Sequence, residues 1–195
     1  MSQYYFFKYE DIQAIQQWHK GLDENRGDRA RLRRADSHED ILLTEAFFHF
    51  LQKMPDSGVW REDLAVSACV AGALSQVKID RQTASRIYNK KDSNKPNVIA
   101  SFAEQLATPS EAKGKAAMSE LRFQQLQKSP STEDFYRRII RAIQLLKGQV
   151  NIVSLAHDII QWHKEFEHPV SHSATNRLAV RWATDYFTAL AKIKS

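Results

Sequence analysis

The sequence predicts an all-α protein, and three observations carry that reading. Apolar residues recur at three- and four-residue steps along most of the chain, the spacing of helices that bury one face. Capping residues and terminators bracket several of those stripes. With 6 Gly and 5 Pro in 195 residues, turn-formers are too few for the many short strands of an all-β domain. The pattern divides into about seven to nine helices in two small bundles. The first spans residues 1–115 and includes a long polar loop near 79–97; the second spans 116–195.

The first stripe is Ile12, Ile15 and Trp18, at three-residue steps within 9–20. Asp28 is placed to N-cap a short turn carrying Arg29, Arg31, Arg33 and Arg34, with Leu32 as its one large apolar residue. Four guanidinium groups cannot be buried together without water, carboxylates or phosphates. Ser37, Glu39 and Asp40 open the next helix, which runs through ILLTEAFFHFLQK (41–53) and ends at Met54-Pro55. Residues 62–78 contain AVSACVAGALSQV, whose small side chains favour close approach of helices and place Cys69 in the core.

Residues 79–97 are polar and read as a loop. A helix resumes over 98–107, a polar connection covers 108–115, and another helix covers 118–127. Ser131 caps a helix over 132–147, with Glu133 and Asp134 in its positive first turn and Gly148 just past its end. Asn151 caps the next, rich in Ile, Leu and Trp, which Pro169 stops. A last helix runs over 174–193.

Hydrophobic residues make up 43% of the chain and charged residues 26%, ordinary values for a globular protein. A single cysteine excludes an internal disulfide and fits a reducing, cytoplasmic compartment. The aromatic N-terminus holds no long apolar run, and no stretch is long enough to span a bilayer.

The net charge is +5, but its distribution is more informative. Residues 26–34, 76–95 and 122–147 each carry a net +4, so the rest of the chain is acidic. Such segregation is the footprint of a surface that meets a polyanion. On the helix over 132–147, Arg137 and Arg138 stand four and three residues before Arg141, so all three can share one flank. Arginine suits phosphate because its planar fork binds two oxygens.

Signatures of catalysis are missing. There is no GxxxxGK or GxGxxG phosphate loop and no GxSxG elbow. Four histidines in HDIIQWHKEFEHPVSH (157–172) raise a metal-dependent hydrolase, but their spacing matches no paired ligand motif. They read better as surface polar residues around a helix end. No cofactor, metal site or catalytic residue is therefore expected. Nor is there a zinc finger, RNP motif or bZIP pattern to read bases. Contact with the nucleic-acid backbone, salt-sensitive and with little sequence preference, is the expectation. A free-standing helical DNA-binding regulator is the alternative.

The stretches RARLRRA, LRFQQLQKSPSTEDFYRRIIRAIQLL, VNIVSLAHDIIQWH and RWATDYF, in that order, resemble the CasB family, the small subunit of the type I-E CRISPR surveillance complex Cascade. The resemblance covers most of the chain and is strongest over 121–162. It implies a non-catalytic, all-α protein of two helical bundles. It implies two copies, head-to-tail, between the large subunit and the crRNA-binding backbone, with crRNA nearby. It further implies a basic surface that holds single-stranded DNA of the R-loop, chiefly the displaced strand, while guide pairing reads sequence. Carried over by position, Arg33 and Arg34 match the family's paired arginines, Arg122 its residue opening the RFQQL helix, and Arg141 the arginine of an RRAI-like stretch. Ile140 stands where a further arginine is common, and Arg137 and Arg138 supply charge one turn earlier. With Arg31, these seven arginines form the expected nucleic-acid-binding set.

Overall fold

The structure, a computed structural model, describes residues 6–56, 58–81, 101–108, 115–168 and 174–194. Most of its helices begin where side chains satisfy otherwise unpaired backbone N–H groups. The first helix, α1 (Tyr9–Gly21), is fixed at its start by Asp11, whose carboxylate accepts from the Lys8 backbone N–H at 2.8 Å. That carboxylate also accepts from the Trp60 indole at 2.7 Å, so a buried acid is fully used. Next, α2 (Arg26–Arg34) is capped by Asn25, α3 (His38–Leu42) by Ser37 and α4 (Glu45–Lys53) by Thr44. After α5 (Val59–Glu62), Asp63 caps α6 (Leu64–Ser75) with bonds to the N–H groups of Ala65 and Val66.

The short strand β1 (Ile79–Asp80) leads toward α7 (Phe102–Ala107), capped by Ser101. Then come α8 (Glu120–Gln127) and α9 (Thr132–Leu145), the latter capped by Ser131. The left-handed Lys147 and Gly148, at φ 57° and 74°, end that helix and turn the chain into β2 (Gln149–Val150). Finally α10 (Ile152–Glu167) is capped by Asn151, and a 3-10 turn at Ala174–Asn176 precedes α11 (Leu178–Lys194). The class is all-α. The two strands form only one parallel two-residue pair, Ile79 with Gln149 and Asp80 with Val150.

Eleven α-helices lie among the described residues, more than the seven to nine read from the sequence. Part of the difference is splitting. The helix expected over 41–53 breaks because the Thr44 hydroxyl donates to the Ile41 carbonyl at 2.8 Å and accepts from the Phe47 N–H at 3.2 Å. Asp63 likewise separates α5 from α6. The arginine helix is capped three residues earlier than expected, by Asn25 rather than Asp28, because the Asn25 side chain accepts from the Asp28 N–H. Of the polar stretch 79–97, Ile79 and Asp80 are in a strand pair rather than a loop; 82–97, residues 98–100 of the next expected helix, and 109–114 lie outside the described residues.

At the centre is α6, buried from Val66 to Ser75. It packs against α2, α3, α4 and α5 on one side of the sequence, and α9 and α10 on the other. Its small residues permit this: a Cβ at Gly72 would collide with Ile41 of α3 and with the Tyr136 hydroxyl of α9. Cys69 is buried and burial pushes its thiol pKa up, which makes it inert core. The other deeply covered helix is α10, in which every residue from Ile152 to His163 is buried and only the last turn opens to solvent. It touches α1, α6, α7 and α11, so the apolar cluster is continuous from Phe7 to Ala189. Among the described residues, no helix is long and apolar enough to cross a membrane.

Candidate nucleic-acid interface

Only Leu32 and Asp28 of α2 are buried, so the helix lies on the surface with most of its arginines outward. Asp28 anchors it. The carboxylate accepts from Asn25 Nδ2 at 2.7 Å, lies 2.8 Å from His49 Nδ1 of α4, and is 3.8 Å from Arg31 Nη1. A nearly buried carboxylate is tolerated because three polar groups surround it.

The arginines of α2 then divide by partner. Arg29, only 17% exposed at its side chain, donates to Asp23 at 2.7 Å and to the Val77 carbonyl at 3.2 Å. Arg31 pairs with Glu45 at 3.0 Å. Arg33 is exposed and meets a neutral acceptor, Gln76 Oε1, at 3.3 Å. Arg26 and Arg34 are exposed, and neither has an acidic partner among the described residues.

On α9 the buried stripe is Phe135, Tyr136, Ile139, Ala142 and Ile143, which leaves Arg137 and Arg141 facing out, one turn apart. Arg137 pairs with Glu133 at 2.6 Å. Arg141 has no acidic partner among the described residues and is exposed. Arg138 turns the other way: it donates to the Gln125 carbonyl at the end of α8 and lies 3.4 Å from Ser129 Oγ. On α8 itself, Phe123 and Leu126 are buried while Arg122 is exposed.

Helices α2 and α9 are linked through α3 and α6. His38, four residues past Arg34, places its ring 6.1 Å from that of Tyr136 on α9. Helix α3, which follows α2, thus touches α9, both α2 and α9 pack on α6, and α8 packs on α9. Arg31 points instead toward α4. The ion pairs of Arg31 and Arg137 are more than half exposed on the arginine side. Such pairs contribute little stability, so exchanging their carboxylate for a phosphate costs little.

Sequence reasoning passed over Arg26, as exposed and unpaired as Arg34, and the residues that hold the helix: Asn25, His49 and Glu45. Asn25-x-x-Asp28 is a cap signal that could have been found; the reach of α2 to α4 carries no local signal. It also placed the histidines at the surface. His157 and His163 are in fact buried, 0% and 3% exposed, because α10 is covered on all sides. His168 is exposed, and His172 lies outside the described residues. Among the described residues, no group of three or more His, Cys, Asp or Glu is placed to hold a metal ion.

A family model described as CRISPR-associated protein Cse2 matches residues 28–187. No curated protein and no solved structure gives a significant match.

Proposed function

The chain belongs to the Cse2 family, the CasB small subunit of the type I-E Cascade complex of CRISPR defence, and on that premise we propose that it is a non-catalytic, cytoplasmic subunit that binds DNA backbone and stabilises the R-loop. The observation that carries this is the set of exposed arginines with no carboxylate of their own. Arg34 and Arg141 are exposed on α2 and α9, both of which pack on α6, Arg33 is held only by a neutral glutamine, and Arg122 lies on α8, which packs on α9. Arg31 and Arg137, in exposed pairs, and Arg138, bonded to neutral acceptors, join once a phosphate competes. Their partner is the displaced single strand, whose phosphates lose counterions on binding. The large subunit, the crRNA-binding backbone and a second copy of the chain cover other faces, with crRNA nearby.

The test is the triple charge reversal Arg33→Glu, Arg34→Glu and Arg141→Glu in a complex assembled with its crRNA. None of the three is buried, so the fold and co-elution with the complex are expected to persist. R-loop lifetime is expected to shorten. The slope of log affinity against log salt should become shallower by about 2, at roughly 0.7 for each single-strand phosphate that is no longer neutralised. An unchanged lifetime in a correctly assembled complex overturns the assignment of these arginines.

A further inference from the structure

Away from the arginines of α2, three rings form a ladder that leads from the core to the surface. Phe135 of α9 stacks on Trp162 of α10 with centroids 3.9 Å apart and planes 3° from parallel. Trp162 in turn stacks on Phe166, one turn further along α10, at 4.7 Å and 15°. Exposure rises along the ladder, from 0% for Phe135 through 7% for Trp162 to 44% for Phe166. One face of Phe166 rests on Trp162, so its open surface is the other face and the rim.

Beside this ring is a groove of about 200 Å³ between the end of α8, the end of α10 and the start of α11, lined by Gln127, Ser129, Trp162, Phe166, Leu178 and Trp182 among others. Its floor is aromatic. The one carboxylate in the lining, that of Glu165, is already used: it accepts from the Leu178 N–H at 3.0 and 3.1 Å and from Gln161 Nε2 at 2.7 Å. Arg181, nearby in sequence, is neutralised by Asp158 at 3.2 Å.

The rim is basic. Lys128 sits between two lining residues and is exposed, and Arg177 directly precedes Leu178 and is exposed. Arg138 reaches Ser129 while bonding only neutral acceptors. Among the described residues none of these three has an acidic partner, and the exposed carboxylate nearest in sequence to Phe166 is Glu167. A flat ring with a free face, with three cations that have no ion pair against one exposed acid, matches a chain that alternates planar bases with phosphates. An apolar side chain of a protein partner would fill the groove but would leave those cations unanswered.

We propose that Phe166 is a stacking platform for one unpaired base of the displaced DNA strand, with Lys128, Arg138 and Arg177 meeting the flanking phosphates. This rests on the single-strand reading above and adds a base-contacting subsite to it. Stacking against an aromatic face is tolerant of sequence, because every base has a π-face. The platform therefore fits a subunit without base-reading elements.

The test uses the assembled complex with an R-loop whose displaced strand carries 5-iodouracil. Irradiation should crosslink that strand to Phe166 or Trp162, located by mass spectrometry of the peptides. Phe166→Leu, which keeps Trp162 covered but has no flat face, should lose the crosslink and release the displaced strand about 5- to 100-fold faster, as expected when one stack is removed. Phe166→Tyr should behave as wild type. When the displaced strand is made abasic, wild type and Phe166→Leu should release it equally. Crosslinks confined to other residues, or equal effects of Phe166→Leu on normal and abasic strands, overturn the proposal. So does loss of Phe166→Leu from the complex on size exclusion, which would make this groove a protein-docking site. If stacking fails in any of these ways while the arginine reversals still shorten R-loop lifetime, the backbone-binding reading stands without it.

Discussion

His19 and His163 are buried imidazoles that each meet a single backbone carbonyl. His19 Nε2 lies 3.0 Å from the Val77 oxygen and His163 Nδ1 2.8 Å from the Ile159 oxygen. Burial pulls both pKa values below the ordinary 6.5, and it outweighs the raising effect of the carbonyls. In the unfolded chain these rings take up protons as the pH falls through about 6.5, whereas in the folded chain they resist until lower pH. Between the two values the unfolded state binds more protons. Their stabilising effect is thus complete above about pH 6.5 and is lost as the pH falls below it. We expect a lower urea midpoint at pH 5.5 than at pH 7.5, with the difference reduced in His19→Gln/His163→Gln. A midpoint that does not move between those pH values contradicts this account. At the same scale, the arginine clusters could be counted from sequence, but the partners of each arginine could not. Arg29 finds Asp23 in the preceding turn, Arg31 finds Glu45 fourteen residues on, and Arg138 finds a carbonyl of α8. Pairing depends on how helices pack, and residue type alone does not encode it.

Among the elements, α6 shows how tightly packing is drawn. A Cβ at Gly72 would meet Ile41 and the Tyr136 hydroxyl, with Tyr136 Cζ at 3.2 Å. Relief requires α3 or α9 to shift, so Gly72→Ala should destabilise by about 1–3 kcal/mol, the usual cost of overpacking. Urea unfolding measures it, and a midpoint equal to wild type would mean that the Tyr136 ring yields freely. The helices most legible in the sequence are those whose stripe and cap agree. In α9, Ser131, the first-turn acids and the spacing of Phe135, Ile139 and Ile143 all point one way, and the observed Thr132–Leu145 is close to the expected 132–147. The break between α3 and α4 was not legible. Its cap, Thr44, lacks the Glu or Gln three residues on that completes a capping box; Phe47 occupies that place, so the run reads as one apolar helix. Helix α10 misled in a related way. A helix buried all round has no polar face to mark which residues are outside, so its histidines read as surface groups.

For the molecule as a whole, the division into two helical bundles, 1–115 and 116–195, stands as a proposal about architecture. Contacts cross that boundary freely: α6 packs on α9 and α10, and α7 on α11 and α10. A continuous core of this kind is expected to unfold in one cooperative transition, with fluorescence of the four tryptophans and far-UV circular dichroism giving the same midpoint. Two separated transitions would mean that the bundles are independent units. The parallel strand pair bears on a different matter. At one end the Lys78 N–H donates to the Gly148 carbonyl at 2.8 Å and the Arg81 N–H to the Val150 carbonyl at 3.0 Å. A little further along, the Phe102 N–H donates to Ser154 Oγ at 3.0 Å. Residues 81 and 102 are therefore fastened to the same short piece of chain, 150–154, as two ends of a thread are held by one knot. The helical frame thus carries its own clasp at this point, made of backbone bonds and one serine, and the arginines on α2, α8 and α9 rest on the core that the clasp closes.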